Sequence, residues 1–187
     1  MIDYFILHDR GPLEPDRWYL GGPVDSSGRV VDPRLFTRCR KAAVPSPLHV
    51  PVRQTGPQRD FTLGDFDMPV LIDEIAQQLV ALAPQDVQCI PAFVDGREEP
   101  YSIVNVVSEK DALDSEASDI SYWGKSVLPQ FEGKILAVGK LALRGDRLDG
   151  AHCLRVTTWH PPIIVSADAM VVLARASGAA FDPVVIT

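Results

Sequence analysis

Proline is the residue that most constrains this chain, since it occurs at 16 of 187 positions, about 9% against a usual ~5%. Proline has no backbone N–H and a fixed φ, so it ends helices and is confined to edges and turns of sheets. Hydrophobic residues make up 46% of the chain and charged residues 23%, which is the ordinary composition of a folded globular protein. We therefore expect short strands, many turns and few long helices.

Two segments carry the pattern of a helix that follows a strand. The first is predicted over residues 73–83, where apolar side chains recur every three or four positions and Pro84 follows. The second is predicted over residues 167–176, with Ser166 as the N-cap and Gly178 as the C′ residue.

Strand patterns outnumber the helical ones. The dipeptide Asp95-Gly96 lies between apolar runs at 86–94 and 101–107, which is typical of a β-hairpin. Further strands are predicted at 3–8, 48–53, 135–143, 152–158, 162–165 and 181–186. The pattern predicts an α+β fold: a single domain over 1–187 with one mixed or mainly antiparallel sheet and two principal helices packed on it. Residues 1–59 are predicted to form a Pro-rich basic arm that wraps this sheet, and residues 60–187 the α+β core.

Charge is distributed unevenly along the chain. The net charge of −7 and a pI of about 5 disfavour direct binding to nucleic acid. Residues 29–59 hold seven basic side chains and one acidic one, whereas residues 60–119 hold fourteen acidic and two basic ones. Two interpretations stay open: the acidic stretch is neutralised internally by the basic arm, or it forms a docking face for a basic partner.

The docking interpretation selects candidate partner-binding residues. They are the acidic side chains of the hairpin loop and of residues 111–119, together with the aromatic pair that follows, because Trp and Tyr are enriched in the energetic centres of interfaces. The candidates are Asp95, Glu98, Glu99, Asp111, Asp114, Glu116, Asp119, Tyr122 and Trp123.

Motifs for catalysis are missing from the sequence. It has no GxxxxGK[ST] or GxGxxG phosphate loop and no GxSxG elbow. Its four histidines and three cysteines show no zinc-ligand spacing, and the cysteines are predicted to be reduced core residues. We therefore expect no enzymatic activity, no metal and no cofactor. The alternatives are a small cytosolic hydrolase with an unrecognised acidic site, or an intracellular adaptor or homo-oligomeric binding protein.

Targeting signals are also missing from the sequence. Asp3 occupies the region where a secretory signal is cationic, and the apolar run at 4–7 is too short for a signal core. The longest apolar runs are far shorter than the ~20 residues of a membrane span. We expect a cytoplasmic protein that does not contact a membrane.

Short motifs are spread over nearly the whole chain: RWYLGGPVD (17–25), GRVVDP (28–33), FT (36–37), LHVPV (48–52), DFTL (60–63), LAPQDVQCIP (82–91), YW (122–123) and IVS (164–166) before a helix. In their order and spacing they resemble the motifs of the immunity protein 11 family, bacterial antidotes from polymorphic toxin systems. After Trp123 the sequence matches the family's motifs less closely, and residues 141–149 carry no matching motif.

This resemblance implies a role in binding. Members neutralise a toxin made by the same cell or its kin, and they have no catalytic residues to carry over. Because they often accompany predicted nucleases, the resemblance implies a cognate toxin as partner, for example a basic nuclease that the acidic surface occludes. The identity of the toxin, the stoichiometry and the oligomeric state stay open.

Overall fold

Most of the chain lies in short strands. The computed structural model describes residues 3–9, 17–125 and 129–187. In chain order its strands are β1 (Tyr4–Asp9), β2 (Tyr19–Leu20), β3 (Leu48–Val50), β4 (Val52–Gln54), β5 (Phe61–Leu63), β6 (Pro69–Ile72), β7 (Val87–Val94), β8 (Tyr101–Val106), β9 (Glu109–Lys110), β10 (Asp119–Tyr122), β11 (Ile135–Lys140), β12 (Ala142–Leu143), β13 (Cys153–Val156), β14 (Trp159–Ser166), β15 (Ala179–Pro183) and β16 (Val185–Ile186). Its α-helices are α1 (Asp73–Leu82) and α2 (Ala167–Leu173). This confirms the α+β class.

Two five-stranded sheets form the framework. The first has the strand order β3-β7-β8-β6-β5, with β3 parallel to β7 and all other neighbours antiparallel. The second has the order β15-β1-β14-β13-β9, with β9 parallel to β13 and the rest antiparallel. Three two-stranded pairs complete the architecture: β2–β4, β10–β11 and β12–β16. The strands are thus mixed and mainly antiparallel, as expected, but they form several sheets where one was predicted.

The N-terminal segment differs from the predicted arm. Strand β1 lies inside the second sheet, between β14 and β15, and β3 forms an edge of the first sheet. Residues 1–59 therefore contribute strands to both sheets. The physical reason is the apolar pattern of β1 itself, since its side chains Tyr4 and Leu7 are buried against strands from the other end of the chain.

Both predicted helices are present. Helix α1 ends at Leu82, two residues before Pro84. Helix α2 begins after Ser166, whose Oγ accepts a hydrogen bond from the Ala169 N–H at 3.3 Å, and it ends at Leu173, three residues earlier than predicted. Gly178 has φ +93°, and a Cβ there would lie 2.3 Å from the carbonyl oxygen of Phe61, so only glycine fits.

The predicted hairpin is also present. Strands β7 and β8 pair antiparallel from Val87 opposite Val106, and Gly96 in their connection has φ +74°. A glycine adopts this left-handed conformation without steric cost, which explains why the Asp-Gly dipeptide predicts the turn correctly.

One buried cluster joins the two sheets and both helices. It includes Leu71 from β6, Ile75 from α1, Val165 from β14 and Leu173 from α2, all at most 6% exposed. Of the cysteines, Cys39 and Cys153 are buried and Cys89 is partly buried, and none forms a disulfide. Within the described ranges, neither helix has the length or the apolar character needed to cross a bilayer.

Candidate functional site

An open cleft lined by aromatic rings is the candidate site, with a volume of about 770 Å³. It lies between the β10–β11 hairpin and the turn that connects β13 to β14, and we call it the aromatic cleft. Four aromatic residues line it: Tyr122, Trp123, Phe131 and Trp159. The other lining residues are Asp111, Leu113, Ser115, Gly133, Lys134, Ile135, Leu136, Thr158, His160 and Pro161.

Backbone pairing of the hairpin holds one wall of the cleft in place. The Trp123 N–H donates to the Lys134 carbonyl at 2.9 Å, and the Gly133 N–H donates to the Trp123 carbonyl at 3.1 Å. These bonds set the Trp123 ring against Phe131, with ring centroids 6.0 Å apart. Lys134 adds a cation 5.0 Å from the Phe131 ring. The rings are therefore ordered before any partner binds, which lowers the entropy cost of binding.

The wall of the cleft presents apolar surface to water. Tyr122 is 54% exposed, Leu136 48% and Phe131 38%, and all three line the same depression. Exposed large apolar side chains that cluster in this way mark interaction sites more often than singly scattered ones do. This clustering makes the cleft the best candidate for a binding surface.

The acidic side chains of the 109–119 run differ in where they lie and in what they contact. Asp111 lines the cleft and Glu116 lies exposed in the adjacent turn, and no ion pair among the described residues includes either carboxylate. Asp119, at the start of β10, lies opposite Lys140 of β11. Tyr122 and Trp123, predicted together with these acids, are brought into the same cleft as Asp111.

Asp114 belongs to the framework of the protein. Its Oδ1 accepts the N–H groups of Glu116 and Ala117, both at 3.1 Å, and its Oδ2 accepts the hydroxyl of Thr187 at 2.7 Å. These hydrogen bonds favour the charged form and hold the pKa of the Asp114 carboxyl below its ordinary value. Its oxygens are thus occupied within the chain.

The three acids of the hairpin loop lie elsewhere. Asp95, Glu98 and Glu99 are exposed in the β7–β8 connection and do not line the cleft. Glu99 also forms an ion pair with Arg97 at 3.0 Å. The structure therefore does not bring these predicted residues together with Asp111, Tyr122 and Trp123.

Most described ion pairs of the basic segment, residues 29–59, join residues that are close in sequence. Arg29 pairs with Asp25 at 3.0 Å, and Arg34 and Arg38 both reach Asp32. Arg53 reaches further, to Asp65 at 3.0 Å. No described ion pair joins residues 29–59 to Asp111, Glu116 or Asp119, so those carboxylates are left available to a partner.

A second grouping was missed by the sequence analysis. Cys39, Glu109 and His160 come from distant parts of the chain, and their ligand-type atoms all lie within 4.8 Å of one another. The His160 Nε2 atom is 2.6 Å from Oε1 of Glu109. No local spacing signals this group, because β9, β14 and the loop holding Cys39 meet only in the folded chain.

The chemistry of this group is limited by its surroundings. Burial raises the pKa of the Cys39 thiol to about 11, although the nearby Arg155 guanidinium opposes the shift. The thiol is therefore protonated at neutral pH, whereas the nucleophile and the metal ligand are both the thiolate. Thiolate, imidazole and carboxylate donors suit zinc, but the charge of Arg155 close to Cys39 disfavours a divalent cation there.

The residues of the aromatic cleft are of the kinds found at the centres of protein interfaces. Tyr and Trp combine large apolar area with a polar group, which is the composition of interface centres.

No protein-family model matches the chain, and no curated protein matches it.

Proposed function

We propose that this protein is an immunity protein that binds a cognate bacterial toxin in the cytoplasm and neutralises it. The observation that carries the proposal is the aromatic cleft, in which exposed Tyr122, Phe131 and Leu136 lie beside Asp111, whose carboxylate forms no ion pair with the described residues. An apolar centre with a charged edge is the arrangement of stable protein interfaces. The resemblance of the sequence motifs to those of the immunity protein 11 family supports the same role.

The cleft would act as the centre of a larger contact. Specific protein interfaces bury about 1,600 Å² in total, and a few aromatic anchors supply most of the binding energy. Tyr122 and Trp123 are the proposed anchors. Asp111 and Glu116 would meet Lys or Arg side chains of the toxin at the edge of this contact.

The partner favoured by the charges is a basic protein. The chain carries a net charge of −7, and residues 60–119 hold most of the excess of acidic side chains. A basic nuclease binds phosphates through a cationic surface, so a carboxylate-bearing inhibitor can cover that surface and exclude the substrate. In this mechanism the immunity protein transforms no substrate and needs no cofactor.

Co-expression with the product of the neighbouring reading frame tests the proposal. We expect rescue of growth when that product is toxic, and co-purification of the two chains. The Tyr122→Ala variant should weaken both effects, whereas Phe93→Ala removes an exposed ring from another strand, β7, and should leave both unchanged. A toxic neighbour that is neither bound nor neutralised would contradict the proposal.

A thiol hydrolase is the second candidate, favoured by the grouping of Cys39, His160 and Glu109. A cysteine, a histidine and an orienting carboxylate form the catalytic set of several thiol enzymes. The raised pKa of Cys39 opposes this function, and Cys39 does not line the cavity next to His160. Hydrolysis of activated esters that is lost in Cys39→Ser would support it.

A further inference from the structure

Arg155 of β13 is a buried cation with one unoccupied edge. Its side chain is 1% exposed, and its Nη1 donates to the carbonyl oxygens of His160 at 2.6 Å and Pro161 at 3.0 Å. Its Nε and Nη2 atoms, also buried, have no hydrogen-bond partner in the part of the chain that the structure describes. These two nitrogens form one edge of the guanidinium, the edge that receives a carboxylate or phosphate through two parallel hydrogen bonds.

Burial of the Arg155 guanidinium is unfavourable unless an anion occupies its unoccupied edge. No ion pair among the described residues includes Arg155, although the Asp67 carboxylate attracts it, and a buried cation with unsatisfied donors destabilises a fold. Burial lowers the pKa of Arg155 only to about 10, so the guanidinium keeps its charge at neutral pH. The unoccupied edge therefore favours an anion.

A small cavity adjoins this side chain. Its volume is about 210 Å³, and we call it the Arg155 pocket; it is lined by Arg34, Thr37, Phe66, Asp67, Arg155, His160 and Pro161. The Arg34 guanidinium carbon lies 3.6 Å from the centroid of the Phe66 ring, which fixes a second cation in the lining. Asp67 is the acidic side chain of the lining, and Arg34 also pairs with Asp32 outside the lining at 3.5 Å.

Backbone strain is concentrated around the same pocket. Phe66 and Asp67 have φ of +57° and +56°, and Cys39, close to Arg155, has φ +54°. Non-glycine residues in this region store backbone strain, and they are found preferentially at functional sites such as ligand sites. Two of these residues, Phe66 and Asp67, line the pocket, and Cys39 lies near Arg155 outside the lining.

We propose that the Arg155 pocket binds an oxyanion, a carboxylate or a phosphate, through Nε and Nη2 of Arg155, with Arg34 as a second cation in the lining. The cavity accommodates a group of this size, and the fork geometry of Arg155 selects two oxygens in one plane. The inference is independent of the proposed function, because the pocket adjoins the aromatic cleft at His160 and Pro161 but is lined by different cations.

Nuclear magnetic resonance titration of the full chain tests this proposal. Inorganic phosphate and acetate are added separately at constant ionic strength against chloride, and the Arg155 Nε–H resonance is followed together with the backbone amide resonances of Thr37 and Asp67, which line the pocket and remain observable in every variant. We expect a saturable shift with at least one anion. Saturation with phosphate identifies a free phosphate class, and saturation with acetate alone identifies a carboxylate such as that of a protein side chain.

Variants show whether the shift comes from the pocket. Arg155→Lys removes the fork and should abolish saturation, and Arg34→Gln, at a half-exposed position that does not threaten folding, should weaken binding several-fold. Arg38→Gln is the matched control, since Arg38 lies in the same segment but does not line the pocket. A shift that does not saturate, or one that Arg34→Gln leaves unchanged, would overturn the proposal even if Arg155→Lys fails to fold.

Discussion

The hydroxyl of Thr187 donates a hydrogen bond to Oδ2 of Asp114 across 2.7 Å. This contact joins the acidic run to strand β16 and its neighbour, where the Thr187 N–H donates to the Leu143 carbonyl at 2.9 Å. Asp114 thus stabilises the fold, whereas Asp111 and Glu116 on either side of it form no ion pair with described residues. The acidic run therefore contains one carboxylate that stabilises the fold, that of Asp114, and two that form no ion pair with described residues, those of Asp111 and Glu116.

Reversing the two available charges should slow association with the toxin. We expect the double variant Asp111→Lys, Glu116→Lys to associate about tenfold more slowly at low salt, because long-range attraction to a basic partner is lost. The dependence of the association rate on ionic strength should flatten as well. Stopped-flow or surface-plasmon kinetics over a range of salt concentrations measure both effects.

The matched control for this variant reverses two acids outside the cleft. Asp95→Lys with Glu98→Lys changes the net charge equally in the β7–β8 connection. A similar loss of rate in both double variants would show that total charge, and not the cleft edge, drives association.

Truncation of Tyr122 should weaken the complex. The side chain is 54% exposed, so Tyr122→Ala leaves the core intact while removing a proposed anchor. Loss of such an anchor costs about 2 kcal/mol, or roughly 30-fold in affinity. Isothermal titration calorimetry measures the change, and Phe93→Ala, at an exposed ring on β7, should have no effect on affinity.

Asp114→Asn should lower the free energy of unfolding at neutral pH. Hydrogen bonds lower the pKa of Asp114 in the folded state, so its charge stabilises the fold above the ordinary aspartate pKa of about 4. This contribution disappears as the pH falls through the lowered folded-state value. The difference between wild type and variant in urea unfolding should therefore narrow below pH 4.

A suitable control is Asp111→Asn, whose carboxylate forms no ion pair with described residues. It should leave the unfolding free energy unchanged at either pH. If Asp114→Asn proves as stable as wild type at neutral pH, the structural role assigned to its hydrogen bonds is wrong.

Cys39 should react slowly with thiol reagents in the native protein. Burial raises its pKa to about 11, so very little thiolate exists at pH 8. Iodoacetamide labelling followed by mass spectrometry should show a rate that climbs as the pH is raised toward 11 and a fast reaction after unfolding. Rapid native labelling of Cys39 at pH 7 would instead favour the thiol hydrolase.

Local signals in the sequence predict the local elements well. The helices at Asp73–Leu82 and Ala167–Leu173 and the hairpin around Gly96 each depend on interactions within a few residues. The helix cap at Ser166 and the left-handed turn at Gly178 are each predicted by a single residue for the same reason. Such elements need no knowledge of the rest of the chain.

Long-range pairing could not be predicted in this way. Strand β1 pairs with β14 and β15, more than 150 positions away in sequence, and no local pattern specifies which strands meet. The division into two sheets, the Cys39–Glu109–His160 group and the Arg155 pocket all follow from that pairing. The aromatic cleft was half predicted: Tyr122 and Trp123 were recognised, but Phe131 and Trp159 join them only through the fold.

Hydrogen exchange of the protein alone and in complex with the product of the neighbouring reading frame tests the central claim most directly. We predict slower exchange on binding in three segments, residues 111–123, 131–136 and 158–161, which together line the aromatic cleft. Exchange in the β7–β8 connection should stay unchanged. A complex that protects another face and leaves these three segments unaltered would contradict the proposal that the cleft is the binding surface.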